Sequence, residues 1–364
     1  MSNRTDRVLA IMRDEEQGAG ASAARFVLWL VSGVYTAVIT LYWLMYRAGM
    51  LRKVRLRAVV LSVGNVTVGG TGKTTTIQYL GSLLARNGTR AAVLSYGYRA
   101  GDKDAVNVVS DGECVRMTAA AAGDEAVLLA RALPGTPVLI GRRRVLSGAE
   151  AERRFAPDVL LCDDAFQYWR LHRDVDLVLV DAVEPWGYGY VLPRGLLREP
   201  KRQLRRADAI LITHSDLVTP QRLNALKAEV GAMGAPVWTA RHAPCGLTDL
   251  EGGNPAPADA LKGAAVLAVS SLGDPASFEA TLTMLGAAVT PCRFADHHRY
   301  TQAEVAEVEE RARESGLRIV TTAKDAVKLE GLASAESWRV LGVTLAVDDS
   351  ESFDTWILQY TRRD

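Results

Sequence analysis

The sequence RAVVLSVGNVTVGGTGKT, residues 57–74, determines the fold of this chain. Its first part, residues 57–63, is apolar and rich in β-branched residues, as expected of a strand that is buried in a parallel sheet. A glycine-rich loop follows, and Lys73 begins a helical segment that ends before Gly88. A strand, a glycine loop and a helix in this order predict a phosphate-binding loop.

The residue types in this loop suit the phosphates of a nucleotide. Glycines let successive backbone N–H groups turn towards phosphate oxygens, and the N-terminus of the helix adds partial positive charge. The lysine reaches the β- and γ-phosphates, and the threonine after it offers a hydroxyl to Mg²⁺. Thr67 stands where the usual pattern has glycine. The predicted nucleotide-binding residues are Gly69, Gly70, Thr71, Gly72, Lys73 and Thr74.

The rest of the chain alternates apolar strands with helices, which predicts an α/β fold with a P-loop NTPase-type, mostly parallel sheet. Prolines and glycines over residues 236–262 predict a linker-like stretch, and a smaller α/β unit follows it. The predicted divisions are a polar tail (1–25), a hydrophobic helix (26–46), a P-loop domain (57–240) and a smaller C-terminal α/β domain (241–364).

The composition excludes several classes of protein. The 364 residues include 43 basic and 42 acidic ones, so the net charge of +1 gives no general attraction to nucleic acid. The four cysteines have neither a zinc-binding spacing nor the density of a disulfide framework. They are Cys114, Cys162, Cys245 and Cys292.

Residues 26–46, FVLWLVSGVYTAVITLYWLMY, carry no charge. About 20 apolar residues in a helix are long enough to cross a bilayer. The segment either spans the membrane once or docks in one leaflet, and a core helix of a soluble domain is the third alternative. Basic residues after it favour a cytoplasmic position for the following domain. These are Arg47, Arg52, Lys53, Arg55 and Arg57.

A second chemical signal is the apolar strand that runs into Asp163 and Asp164. In P-loop proteins an aspartate at the end of such a strand holds Mg²⁺ beside the hydroxyl of the loop. We therefore predict that Asp163 and Thr74 bind the metal. Asp181 also ends a strand and is the alternative, although a helix or turn cap explains it better.

Six motifs together resemble the tetraacyldisaccharide 4′-kinase family, the lipid A 4′-kinases of Gram-negative bacteria. They follow the family's order over residues 26–330. The motifs are GNVTVGGTGKT at 64–74, GDEA at 123–126, DDAFQYWRLHRDVDLVLVDA at 163–182, LPRGLLREP at 192–200, FADHHRYT at 294–301 and TTAKDAVKL at 321–329.

The resemblance implies transfer of the γ-phosphate of ATP to the 4′-hydroxyl of a tetraacyl disaccharide 1-phosphate, with Mg²⁺. It also implies the lipid A precursor and the inner membrane as partners, no nucleic acid or protein partner, and anchoring by 26–46 at the cytoplasmic face. Asp124 is implied as the base, helped by His297, with Lys73 on the phosphates. Further implied substrate or metal contacts are Glu125, Arg143, Asp164, Gln167, Arg198 and Glu199.

The chain departs from the family pattern at four positions, which leaves its fine substrate preference open. They are Thr75, Tyr96, Ala165 and Tyr168. Two other functions stay open from the residues alone, namely a P-loop ATPase or GTPase switch and a non-catalytic membrane nucleotide sensor. Against a GTPase, the run HSDL at 214–217 is a poor match to a guanine-specificity motif.

Overall fold

The computed structural model describes residues 2–98, 100–101 and 104–361. Two helices precede the sheet, α1 (Ser2–Met12) and α2 (Ala19–Arg47). The P-loop half then contains β1 (Val59–Asn65), α3 (Lys73–Arg86), β2 (Ala91–Ser95), β3 (Asn107–Ser110), α4 (Ala119–Ala122), α5 (Asp124–Ala132), β4 (Val138–Ile140), α6 (Arg144–Phe155), β5 (Val159–Asp163), β6 (Val175–Asp181), β7 (Ala209–Thr213) and α7 (Pro220–Gly231).

The C-terminal half begins with a long strand that also belongs to the first half. Its elements are β8 (Val237–Thr248), β9 (Ala265–Ser270), α8 (Pro275–Met284), β10 (Ala288–Arg293), α9 (Gln302–Glu314), β11 (Arg318–Thr322), α10 (Ala323–Leu329), β12 (Trp338–Val347) and α11 (Ser350–Leu358).

All the strands form one twelve-stranded sheet in the order β10-β9-β11-β12-β8-β7-β6-β1-β5-β2-β4-β3. Neighbouring strands are parallel except for the pairs β12–β8 and β3–β4. Helices cover both faces, with α3 and α5 packed on one face of the P-loop half and α6 and α7 on the other. The structure confirms the predicted α/β fold with its mostly parallel sheet.

The linker-like stretch predicted at 236–262 is wrong over its first half, because residues 237–248 form strand β8. The first residues of β8 pair with β7, and Ala240–Thr248 pair antiparallel with β12. Pro244 is accommodated at a β-bulge, where the register shifts between Gly342 and Val343. Since proline at a bulge leaves the rest of a ladder intact, the prolines here do not interrupt the sheet. The predicted division near residue 240 stays a prediction.

The N-terminal helices differ from the sequence prediction in extent. Helix α1 lies within the stretch predicted as a polar tail, and α2 begins at Ala19 rather than at residue 26. Alanines over residues 19–24 favour helix, which explains the early start. Only 6% of the most apolar 18-residue stretch of α2 is buried inside the protein. This excludes the alternative that α2 is a core helix of a soluble domain. Its exposed apolar face includes Phe26, Val27, Trp29, Leu30, Val34, Val38 and Leu41.

Candidate active site

The phosphate-binding loop connects β1 to α3, as the sequence predicts. Gly72 has φ 80°, in the left-handed region that favours glycine, and it stands directly before Lys73 at the start of α3. Gly64 is required for a different reason, because a Cβ there would lie 2.5 Å from Cβ of Phe166. Gly72 thus lets the backbone turn into the helix, and Gly64 lets β1 pack closely against Phe166.

Several buried polar atoms around the loop have no hydrogen-bond partner among the described residues. They are Oγ1 of Thr71, both side-chain polar atoms of Asn65 and Oε1 of Gln167, whose Nε2 donates to the Asn65 carbonyl (2.9 Å). Buried polar atoms are normally paired, and an unpaired one costs roughly 1–3 kcal/mol. Unpaired donors and acceptors beside a glycine loop fit a polar, phosphate-bearing ligand.

A stretch of turns that carries most of the LPRGLLREP motif braces the start of the loop. We call residues 191–198 the bracing segment. The Arg198 N–H donates to the Val66 carbonyl (2.7 Å), and the Val68 N–H donates to the Leu196 carbonyl (2.8 Å). The Arg198 guanidinium also pairs with the carboxylate of Asp164 (2.7 Å). This segment therefore fixes both the loop and the second aspartate of the DD pair.

Asp163 ends β5, beside β1, and lies opposite Val63 in the parallel ladder. Its Oδ2 accepts a hydrogen bond from Ser95 Oγ (3.0 Å). Burial raises the pKa of Asp163 to about 6, with smaller contributions from Asp164 and Glu125, while Lys73 opposes the rise. Asp163 therefore lies in the electrostatic field of the loop lysine, as expected of the predicted metal ligand.

The neighbouring Asp164 has the opposite shift. Burial alone would raise its pKa, but the positive charges of Lys73 and Arg198 outweigh that effect and lower it. Two adjacent carboxyl groups thus differ in proton affinity, because only Asp164 has a guanidinium partner.

The basic run at 142–144 places a different arginine at the site from the one predicted. Arg143 is exposed, whereas Arg144 is only 2% exposed. Arg144 donates to the main-chain carbonyls of Asp163 (2.9 Å) and Gly141 (3.2 Å). Nothing in three consecutive arginines shows which one turns inward, so sequence reasoning missed Arg144.

The structure brings Asp124 and His297 together although 173 residues separate them in the sequence. Nδ1 of His297 lies 2.9 Å from Oδ2 of Asp124, and both side chains are largely buried. Asp124 begins α5, while His297 lies in the loop after β10, with φ 58°. A cleft of about 400 Å³ opens beside this pair, lined also by Thr118, Arg299 and Tyr300. A substrate hydroxyl could reach Asp124 from this cleft.

Two charged residues lie close to the Asp124–His297 pair, and one of them also affects the electrostatics of Asp163. Glu125 follows Asp124, and its charge contributes to the pKa of Asp163. Lys324, from the TTAKDAVKL motif, lies 3.9 Å from Oε1 of Glu125 and 3.3 Å from Nε2 of His297. Sequence reasoning gave no role to Lys324, although the motif that contains it was a visible signal.

Glu199 takes part in an internal ion pair. It is 2% exposed and lies 2.9 Å from the Arg206 guanidinium, which stacks 4.2 Å from the ring centroid of Phe166. Burial raises the pKa of Glu199 and lowers that of Arg206. The carboxylate of Glu199 is thus already engaged by a cation of the protein, which favours a structural role over the predicted contact.

Thr75, where the family usually has proline, makes two hydrogen bonds behind the loop. Its Oγ1 donates to the Gly72 carbonyl (2.9 Å) and lies 2.7 Å from Nε2 of His242. Burial, followed by the charge of His214, lowers the pKa of His242 to about 4, so this ring is neutral at ordinary pH. Of the other departures, Ala165 is fully buried, Tyr168 packs against the core, and Tyr96 stacks on Arg144.

The sheet, the glycine loop and the aspartate at the end of β5 define a P-loop phosphotransferase-type protein, and comparison with known proteins narrows this class. The family model described as tetraacyldisaccharide-1-P 4′-kinase matches residues 24–362. The chain belongs to this family, which confirms the resemblance seen in the motifs.

Individual relatives agree with this assignment. The chain is 42% identical over 329 residues to the tetraacyldisaccharide 4′-kinase of Syntrophus aciditrophicus, covering 86% of this chain and 87% of the relative. It is 42% identical over 335 residues to that of Anaeromyxobacter dehalogenans, covering 91% and 88%. The crystal structure of LpxK from Aquifex aeolicus in complex with ATP superposes with a TM-score of 0.77 at 30% identity, covering 93% of this chain and 99% of that one.

Proposed function

We propose that this protein is an ATP-dependent kinase that phosphorylates the 4′-hydroxyl of a tetraacyl disaccharide 1-phosphate in lipid A biosynthesis. Membership of the kinase family supports the reaction. The observation that carries the proposal is the contact between Asp124 and His297, since it places a carboxylate with an orienting imidazole at a cleft near the phosphate loop.

On the nucleotide side, we assign the phosphates of ATP to the loop. The backbone of Gly69–Gly72 and the N-terminus of α3 supply N–H donors, and Lys73 supplies positive charge for the β- and γ-phosphates. The unpaired hydroxyl of Thr71 adds one more polar atom. Phosphoryl transfer depends mainly on positioning and charge stabilisation, which are the properties of such a loop.

Thr74 and Asp163 are the residues that would hold Mg²⁺. When bound there, the ion would supply positive charge that offsets the charge of the phosphates during transfer. The donor set suits it, because carboxylate and hydroxyl oxygens are hard ligands. Arg144 and Ser95 hold the main chain and side chain of Asp163, so the carboxylate keeps a fixed direction.

On the acceptor side, Asp124 would accept the proton of the sugar hydroxyl as its oxygen attacks phosphorus. A hydroxyl is a weak nucleophile until a base takes its proton. The imidazole of His297 fixes the direction of the Asp124 carboxylate through the 2.9 Å contact. Because the two residues come from opposite halves of the chain, the reacting centre depends on the packing of α10 and its neighbouring loop against α5.

Helix α2 would associate with the membrane by docking in one leaflet. Its flanks both contact the catalytic body: Arg194 donates to the Met12 carbonyl (2.6 Å) before the helix, and Val54 pairs with Leu171 after it. A helix that crosses the bilayer leaves its two ends on opposite sides, so its two flanks could not both contact the same domain. Ser32 and Tyr35 also bond to the bracing segment, while the opposite face of α2 exposes apolar side chains.

We place the protein at the cytoplasmic face of the inner membrane. The kinase needs ATP from the cytoplasm, whereas the acyl chains of the acceptor stay in the lipid. The exposed Arg47 ends α2, and the exposed Arg52 and Lys53 follow it, at a boundary where anionic headgroups attract basic residues.

The activity is tested by incubating the purified full-length protein in detergent with ATP labelled at the γ-phosphate and a tetraacyl disaccharide 1-phosphate. We expect label at the 4′ position of the lipid. The variant Asp124→Ala should bind ATP like the wild type but transfer no phosphate. The control Asp259→Ala, at an exposed position, should bind ATP and transfer phosphate like the wild type. Hydrolysis of ATP without labelled lipid would support the ATPase alternative and contradict the kinase.

A further inference from the structure

We propose that Lys324 is a positioning residue that fixes the tautomer of His297, so that Nδ1–H of His297 donates a hydrogen bond to the Asp124 carboxylate and holds it in place. This inference rests on the proposed kinase function and extends it. It gives a role to the TTAKDAVKL motif, to which the reaction described above assigns none.

The geometry forms a chain of three ionisable groups. Nζ of Lys324 lies 3.3 Å from Nε2 of His297, and Nδ1 of the same ring lies 2.9 Å from Oδ2 of Asp124. The imidazole therefore stands between an ammonium group and a carboxylate. Lys324 and His297 are mostly buried, at 22% and 13% side-chain exposure, so little water competes for these contacts.

The hydrogen-bonding capacities of the groups decide the direction of the bonds. An ammonium group has donors only, so Nε2 of His297 must accept from Lys324. A neutral imidazole has one donor and one acceptor nitrogen, so its proton sits on Nδ1. Nδ1–H then donates to the Asp124 carboxylate, which has acceptors only.

A second charged group faces the same nitrogen at a greater distance. Oδ2 of Asp296, on a half-exposed side chain, lies 3.9 Å from Nε2 of His297, whereas Nζ of Lys324 lies at 3.3 Å. Lys324 is therefore the nearer partner of Nε2, and the Nδ1–H bond keeps the Asp124 carboxylate directed at the cleft.

The surroundings of Lys324 indicate that its position serves the site. It stands in the first turn of α10, where the helix dipole disfavours a cation. Compensation comes from Glu125, at 3.9 Å across the junction between the two halves. The next residue, Asp325, is fully buried, accepts from Ser271 and Tyr300, and so anchors the turn that carries Lys324.

The first test measures the tautomer directly and does not require turnover. The wild-type protein is labelled with ¹⁵N-histidine, and His297 is assigned among the five histidines by comparison with His297→Asn. We expect a ring protonated on Nδ1 alone, and Lys324→Met should lose this single tautomer. A wild-type ring protonated on Nε2, or an unchanged His297 signal in Lys324→Met, would overturn the inference whether or not the protein is a kinase.

The second test separates positioning from nucleotide binding. In the lipid kinase assay, Lys324→Met should lower kcat on the order of 10- to 100-fold with the KM for ATP nearly unchanged. Lys324→Arg, which also carries only donors, should restore most of the rate, and the exposed Lys262→Met should leave it unaltered. A loss confined to the KM for ATP would contradict the role at His297 and point to a phosphate contact. An inactive wild type would refute the kinase function alone.

Discussion

Replacing Asp163 by asparagine should stabilise the ATP-free protein and abolish its kinase activity. Burial raises the pKa of Asp163 from 3.8 to about 6, so the folded protein holds a carboxylate in an unfavourable environment at neutral pH. At about 1.4 kcal/mol for each pKa unit, this difference corresponds to roughly 3 kcal/mol of lost stability. Asparagine has a similar shape, can still accept from Ser95, and carries no charge.

The predicted gain in stability depends on pH, because Asp163 releases its proton at a lower pH in the unfolded chain than in the folded protein. Well below pH 4 the carboxyl is protonated in both the folded and the unfolded chain, so Asp163 has no electrostatic cost. As the pH rises from about 4 towards 6 the unfolded chain releases the proton first, and the folded state is progressively destabilised. The advantage of Asp163→Asn should therefore be about one third of its full size at pH 4.5 and nearly complete above pH 7.

Thermal unfolding in detergent without ATP or metal measures this difference. The intrinsic fluorescence of the seven tryptophans reports unfolding, and the expected rise in Tm at pH 7.5 is on the order of 5 °C. Asp259→Asn, at an exposed position, should show no such trend. An equal stabilisation at pH 4.5 and pH 7.5, or a less stable variant at pH 7.5, would refute the reasoning.

Three further substitutions test contacts around the site. Glu199→Gln should lower the free energy of unfolding by roughly 3–5 kcal/mol, measured in urea, because it leaves the buried Arg206 without its counter-ion; an unchanged urea midpoint with a lower kcat would instead indicate a substrate contact. Ser32→Ala should weaken the docking of α2 by roughly 1–3 kcal/mol, since it removes two hydrogen bonds between α2 and the bracing segment, and limited proteolysis should release the N-terminal helices faster; cleavage at the wild-type rate would contradict this. Thr75→Val should weaken ATP binding up to about tenfold in calorimetry through loss of its bonds to the loop and to His242, and an unchanged Kd would show that these bonds do not support the loop.

The sequence was most informative for structural features that depend on residues close together in the chain. The P-loop can be predicted because its strand, glycines and helix are contiguous in the chain. Strand β8 was missed because its proline and glycine residues indicate a break unless the bulge that accommodates them is known. Bulges depend on the partner strand, here β12, about one hundred residues later in the chain.

The site was predictable to a similar extent. Family resemblance suggested that Asp124 and His297 act together, although their spacing in the sequence gives no sign of it. Resemblance gave no means to choose between Arg143 and Arg144, since only the packing of α6 shows which side chain is buried. Lys324 was overlooked for a related reason, because its role depends on the orientation of a ring from another loop.

The bracing segment has a consequence for how the protein meets its lipid. Ser32 and Tyr35 bond to this segment on one side, and Val66 and Val68 of the phosphate loop bond to it on the other. Helix α2 and the loop are thus joined through a few hydrogen bonds to the main chain of the bracing segment, independently of the connection at residues 48–56. With α2 seated in the lipid surface, the nucleotide is held at a fixed height above the acyl chains. Lengthening the 48–56 connection would leave that height unchanged, because the contacts of the bracing segment set it. The headgroup of the acceptor would then have to span the distance from the acyl chains to the γ-phosphate.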